Sequence, residues 1–125
     1  MSYKEHKWPN GNLRGQEWKN ERGELHRLDG AAIIGYYNNG TVYEEHWYRR
    51  GLRHRLEGPA FVYYYNDGEV ASEYWYIEGN RVPPREGSLL QWAKVLYTQL
   101  GYLPSSLKEE LTKEYGDTMD ILELL

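Results

Sequence analysis

The segment His26-Arg27-Leu28-Asp29-Gly30-Ala31-Ala32 returns 28 residues later as His54-Arg55-Leu56-Glu57-Gly58-Pro59-Ala60. The same offset carries Gly23 to Gly51 and Gly79, Gly40 to Gly68, Tyr36 to Tyr64, Trp47 to Trp75 and Tyr48 to Tyr76. So many coincidences at one spacing identify an internal repeat, and a repeat fixes architecture before activity.

Reading outward from these two copies, Asn10-Gly11, Asn39-Gly40 and Asp67-Gly68 mark hairpin tips. Such pairs supply the positive φ that a tight primed turn requires. Gly11 precedes Trp18 by seven residues, as Gly40 precedes Trp47 and Gly68 precedes Trp75, so Trp8-Pro9-Asn10-Gly11 reads as the tail of a truncated copy. Ala32–Tyr37 and Ala60–Tyr65 are expected to be strands leading to a tip. Val42–Tyr48 and Val70–Tyr76 are expected to return from one. Alternation puts Glu45, Trp47, Glu73 and Trp75 on one face and Val42, Tyr48, Val70 and Tyr76 on the other. Apolar residues occur on both faces, so the pattern assigns no buried side. A second reversal follows each return strand, at Arg50-Gly51 and Glu78-Gly79, and at Arg22-Gly23 with one residue inserted.

The third copy decays into Gly79-Asn80-Arg81-Val82-Pro83-Pro84-Arg85, where two prolines cannot continue a ladder. Helical signals follow. Ser88 is placed to N-cap a helix over 89–100, with Leu89, Trp92, Val95, Leu96 and Leu100 on one stripe and Gly101 as its stop. Ser106-Leu107-Lys108-Glu109 reads as a capping box for a second helix ending near Tyr115-Gly116. A last short helix is expected over 118–125, too apolar to stay solvated, and so docked on the sheet or on another chain. The expected fold is therefore mainly β with C-terminal helices (β+α): an antiparallel meander of about 28-residue hairpin repeats over 1–86, capped by two or three short helices over 87–125.

Composition narrows function mostly by exclusion. The 125 residues include 13 Tyr and 5 Trp against a single Phe, rings that suit thin layers with one wet side. There is no Cys, which excludes disulfides, thiolate zinc sites and cysteine nucleophiles. The first six residues carry charges and no apolar core of a signal peptide. No run approaches the roughly 20 apolar residues of a membrane span. A cytoplasmic protein without membrane contact is expected. The formal charge of −4 with scattered bases argues against nucleic acid as the partner. One local basic strip, Arg49-Arg50-Gly51-Leu52-Arg53-His54-Arg55, is the exception.

The pattern Trp-x-x-x-Gly-x-x-His-Arg-x-Asp/Glu-Gly-Pro/Ala-Ala, followed by Tyr and an Asn/Asp-Gly turn, resembles the variant MORN-like repeats of bacterial and bacteriophage proteins. The resemblance covers about residues 8 to 82. Its best copy is carried by Trp47, Gly51, His54, Arg55, Glu57, Gly58, Pro59, Ala60, Tyr64 and Gly68. The first copy departs at Ala31, and the third lacks the His-Arg pair. The resemblance implies a β-hairpin scaffold for protein or membrane contacts with no shared enzymatic activity, and fold alone does not supply function.

Three constellations could carry chemistry. The His-Arg-x-Asp/Glu-Gly unit either caps each reversal and stacks on rings, or lines an edge with His26, Arg27, Arg53, His54 and Arg55 to bind an anion or acidic partner. The tyrosine ladder, Tyr36, Tyr37, Tyr63, Tyr64 and Tyr65 with Tyr43 and Tyr74, is either cross-strand pairing or an aromatic hot spot for a protein partner, with Tyr37, Tyr63 and Tyr65 as its candidate contact residues. His26, His46 and His54 lack metal-site spacing, so no metal and no cofactor is expected. No G-x-S-x-G and no phosphate loop occurs, so no enzyme is expected. The reading is a protein-binding module, concretely a phage or bacterial accessory protein that occludes a host factor such as a defence system, in the host cytoplasm if phage-encoded. A binder of a small anionic ligand or nucleotide is the alternative. The apolar C-terminal helices offer a route to a homodimer.

Overall fold

The computed structural model describes residues 1–116 together with Glu123 and Leu125. The helix expected over 118–125 lies outside the described residues apart from those two positions. The chain divides into two compact units, with the boundary between Arg81 and Val82.

The first unit is the repeat sheet. Strands β1 (Ser2–Lys7), β2 (Leu13–Lys19), β3 (Ile33–Tyr36), β4 (Val42–His46), β7 (Phe61–Tyr64), β8 (Val70–Ile77) and β9 (Asn80–Val82) form one seven-stranded sheet in chain order. Between β4 and β7 the chain makes a separate two-stranded ladder, β5 (Tyr48–Arg49) with β6 (Leu52–Arg53). The fold is the antiparallel meander that the repeat predicts. Strand β1 was not anticipated. Three of its six residues are charged, and they pair with β2 because the turn at Asn10-Gly11 folds them back.

Turn chemistry differs from the expectation, and the difference is informative. At the tips only glycine has positive φ: Gly11 +90°, Gly40 +89° and Gly68 +92°. Each tip is a three-residue loop closed by a bond from that glycine's N–H, to Trp8 O, Tyr37 O and Tyr65 O at 2.8, 3.0 and 3.0 Å. The preceding Asn or Asp accepts from the N–H two residues on, in Asn10–Asn12, Asn39–Thr41 and Asp67–Glu69, which is why these positions carry Asn or Asp. A register shift beside each tip absorbs the extra residue. Turns with positive φ at both central residues sit instead at the reversals, where Arg50 (+49°) precedes Gly51 (+81°) and Glu78 (+48°) precedes Gly79 (+85°). The residue inserted before Gly23 converts the first reversal to the tip type, with Asn20 Oδ1 accepting from Arg22 and Glu24 N–H.

Arg50 and Glu78 hold a backbone conformation that costs an L-residue roughly 1–2 kcal/mol. Glu78→Gly is therefore expected to raise stability by about 1 kcal/mol, less the extra entropy of an unfolded glycine. A urea midpoint for Glu78→Gly at or below that of the natural chain would contradict this assignment.

Among the described residues the first unit buries Ala31, Ala32, Ala60, Phe61, Val62 and Ile77. The second unit holds α1 (Leu89–Leu100) and α2 (Ser105–Tyr115). Ser88 caps α1 in a full capping box with Gln91, and Gly101 ends it with φ +78°, as the sequence indicates. Trp92, Ala93 and Leu96 form its buried stripe, and Trp92 Nε1 donates to Pro83 O at 3.1 Å. Val95, placed on that stripe by the sequence pattern, is 45% exposed, because it lies about 110° around the helix from the stripe's centre. Ser106, expected at the N-cap of the second helix, lies inside it. Helix α2 starts two residues earlier than that cap implies, with Pro104 at its N-cap and no side-chain cap bond; Lys108 N–H donates to Pro104 O at 3.0 Å. Leu107 and Leu111 are its buried residues.

Candidate protein-binding face

The repeated His-Arg unit joins one copy to the next. His26 Nδ1 accepts the backbone N–H of Arg50 at 2.9 Å, and His54 Nδ1 accepts that of Glu78 at 3.0 Å. Each histidine thus satisfies the left-handed residue in the following copy's reversal. Arg27 stacks on Trp18 and Arg55 on Trp47, both with the guanidinium carbon 3.8 Å from the ring centroid. Their Nη1 groups donate to Ala31 O and Pro59 O at 3.2 and 3.3 Å. Asp29 pairs with Arg27 at 3.3 Å. Gly30 and Gly58 make room for these guanidinium groups, since a Cβ there would lie 2.9 and 3.0 Å from the guanidinium carbon. The third copy has Val82 and Pro83 at the His and Arg places, and among the described residues no further reversal of this kind follows.

Burial, with the Arg49 charge second, lowers His54 below its ordinary 6.5. Between the lowered folded pKa and 6.5 the folded chain binds fewer protons than the unfolded one. The contribution of His54 to stability is therefore full above about pH 6.5 and is lost as pH falls through the lowered value. Urea midpoints should drop from pH 7.5 to pH 5, and His54→Gln should show a shallower drop. Equal slopes for the two chains would contradict the linkage.

The cross-strand register sorts the remaining side chains onto two faces. One carries the row Gln16, Ile34, Glu45, Val62 and Glu73, each opposite the next across adjacent strands. It is an internally bonded face with Val62 buried in it. Tyr64 Oη donates to Glu45 at 2.8 Å, Tyr36 Oη to Gln16 at 2.5 Å, and burial together with Glu45 pushes the Tyr64 hydroxyl up to about 12.

The opposite face carries His46, Phe61 and Tyr74 in one row and Glu44, Tyr63 and Ser72 in the next. Phe61 lies at its centre, 9% exposed, with His46, Tyr63 and Tyr74 at 3.9, 4.6 and 5.6 Å between centroids. The ring chain extends from Tyr63 to Tyr43 at 5.7 Å and from Tyr43 to Tyr37 at 5.1 Å. Arg53 lies over Phe61 at 4.4 Å, near Tyr76 (5.4 Å) and Tyr48 (5.9 Å), and its Nε donates to Tyr48 Oη at 3.2 Å. Burial alone would lower the Arg53 pKa, but the Tyr48 and Tyr76 hydroxyls together outweigh it and raise it. Arg81 covers Tyr74 at 4.9 Å. His46 bonds Glu44 through Nε2 at 3.0 Å, while its buried Nδ1 has no partner.

The eight residues singled out in the sequence therefore separate. Arg53 and Tyr63 sit together on the aromatic–arginine face, with Tyr37 at its margin. The Tyr37 hydroxyl donates to Tyr64 O at 2.7 Å. Tyr65 stands at a hairpin tip, 57% exposed. His26, Arg27, His54 and Arg55 belong to the joints between copies. Sequence reasoning missed Phe61, Arg81, Tyr48 and Tyr76 as members of the cluster. Parity carried part of the signal, because Phe61 and Tyr63, and separately Tyr74 and Tyr76, alternate on their strands. The cross-strand register that unites the two pairs depends on the bulges. Among the described residues no group of three or more His, Asp or Glu side chains is disposed to hold a metal, and no helix is long and apolar enough to cross a membrane.

Comparison with protein-family models, with curated proteins and with solved structures returned no match to this chain.

Proposed function

We propose that the chain is a non-enzymatic, MORN-like β-repeat protein that binds a protein partner through the aromatic–arginine face. In its concrete form it is a phage or bacterial accessory protein acting in the host cytoplasm, where it inhibits a host factor such as a defence system by occlusion. The observation that carries the reading is the Arg53-centred cluster: half-buried Tyr48, Tyr63, Tyr74 and Tyr76 around Phe61, with two arginines lying over rings. Tyr and Arg dominate interface hot spots because they offer large contact area together with polar atoms. A sheet whose copies are tied by backbone and histidine bonds presents such a patch with little ordering cost, which favours affinity. The mechanism is steric: a rigid face covers a functional surface and excludes its ligand.

The test is capture from bacterial lysate by the tagged natural chain, read by mass spectrometry beside Tyr63→Ser/Arg81→Ala and Arg49→Ala baits of matched thermal stability. A protein retained by the natural chain and Arg49→Ala, and lost with the face variant, is the expected result. Retention by all three baits would move the interface elsewhere, and the absence of any retained protein would count against a protein partner.

A further inference from the structure

The sheet joint between the second and third copies is made of a backbone ladder and two hydroxyl bonds. Strand β4 pairs with β7 over residues 44–46. Tyr64 Oη of the later copy donates to Glu45 of the earlier one at 2.8 Å, and Tyr37 Oη of the earlier copy donates to Tyr64 O at 2.7 Å. The joint between the first and second copies has the same ladder over residues 15–17 and the same kind of hydroxyl bond, from Tyr36 to Gln16. One copy further on, Ser72, Glu73, Tyr74 and Tyr65 stand in the places of Glu44, Glu45, His46 and Tyr37.

There the same half-joint is unfilled. Where the chain would supply another outgoing strand it has Pro83-Pro84 and then α1. Strand β9 has three residues and follows β8 through the two-residue reversal at Glu78-Gly79, so it runs beside the last residues of β8 and stops short of 72–74. Ala60 N–H meets Tyr74 O on the β7 side, so strand alternation turns Glu73 N–H and C=O the other way. Among the described residues no strand lies beside 72–74 on that side. Among the same residues the exposed Glu73 carboxylate accepts no hydroxyl, and the hydroxyl of Tyr65, 57% exposed, donates to no carbonyl. Edge strands are commonly guarded by lysine or proline. Strand β1, at the opposite edge, has Lys4 and Lys7, whereas Val70-Ala71-Ser72-Glu73-Tyr74 has neither residue type.

We infer that the edge at 72–74 receives an extended segment of the protein partner, antiparallel to β8, as one more outgoing strand. Ile34 and Val62 stand opposite Gln16 and Glu45, and Tyr36 and Tyr64 follow two residues later. The segment therefore carries a β-branched residue opposite Glu73 and a tyrosine two residues on, whose hydroxyl meets the Glu73 carboxylate and whose carbonyl takes the Tyr65 hydroxyl. In such strand addition the main-chain bonds supply affinity and the alternate side chains supply specificity. A second copy fits poorly. Its own edge strand of the outgoing kind is β1, where Glu5 has the place of Ile34 and Val62 and would stand against Glu73. That the segment belongs to the partner of the aromatic–arginine face rests on the proposed function; the half-joint itself does not.

The probe is an acetylated, amidated peptide copying residues 59–66, followed by amide NMR shifts of the natural chain. It should move the Tyr65, Ala71 and Glu73 signals saturably. The same peptide N-methylated at its valine cannot donate to Glu73 O and should bind about tenfold more weakly. Replacing its middle tyrosine by phenylalanine, or Glu73→Ala in the chain, should weaken binding about threefold or more. Signals that stay unmoved, or that move equally with the N-methylated peptide, overturn the assignment. Concentration-dependent dimers of the natural chain that the peptide dissolves would give the edge to a second copy and overturn it as well. If the natural chain captures a protein from lysate, the peptide should displace it. A peptide that occupies the edge and leaves the captured protein in place overturns the partner strand and leaves the binding face standing. Failure to capture any protein counts against the proposed function, while the peptide shifts still decide whether the edge takes a strand.

Discussion

His54→Ala is expected to destabilise the chain by about 2–4 kcal/mol. The Glu78 N–H loses its acceptor at a half-buried site, which costs about 1 kcal/mol or more by itself. Removal of a ring that is 5% exposed adds a cavity contribution of about 1 kcal/mol or more. The equivalent His26→Ala should cost less, because His26 is only half-buried although its bond to Arg50 N–H is as short. His54→Asn separates the two contributions, since Asn Oδ1 lies the same number of bonds from the backbone as Nδ1 and can accept the same N–H. It should recover part of the loss in urea denaturation. An alanine variant as stable as the natural chain would mean that the histidine does not hold the reversal.

Arg53→Ala is the larger functional prediction. The guanidinium lies over Phe61 and within reach of two tyrosine hydroxyls, so its truncation opens the middle of the face. Loss of a central arginine in a desolvated patch typically costs about 2 kcal/mol or more of binding free energy, roughly thirtyfold in Kd. Arg53→Lys should not restore it, because an ammonium neither stacks on Phe61 nor matches the planar fork. Arg49 is exposed, sits in the Tyr48–Arg49 strand beside the reversal, and serves as the neutral control.

Much of the fold was legible because repetition is a property of sequence. Copies 28 residues apart located both kinds of turn, and the prolines at 83 and 84 ended the sheet where β9 ends. The kind of turn was not legible. Asn-Gly marks a primed turn only when both central residues take positive φ, and here Asn39 does not while Arg50 does. Nothing in an arginine's chemistry announces a left-handed backbone; the histidine in the preceding copy that accepts its N–H is what holds it there. Strand β1 was hidden for a related reason. Its alternation is between charged and polar residues, and its pairing is imposed by the turn rather than by an apolar face.

The candidate face was only half legible. Arg53 and Tyr63 could be named from composition, but His26, Arg27, His54 and Arg55 drew attention because they repeat. Repetition turned out to mark the joints, where every copy has the same need. The aromatic–arginine cluster is built where the copies differ: Arg53 stands in the place of Leu25, Phe61 of Ile33, and Tyr63 of Gly35.

The most direct measurement is calorimetric titration of the captured partner with the natural chain, Arg53→Ala and Arg49→Ala, all confirmed folded by circular dichroism. Affinity reduced about thirtyfold by Arg53→Ala and unchanged by Arg49→Ala is the result predicted for an interface centred on the aromatic–arginine face. Equal affinity for the natural chain and Arg53→Ala would contradict it.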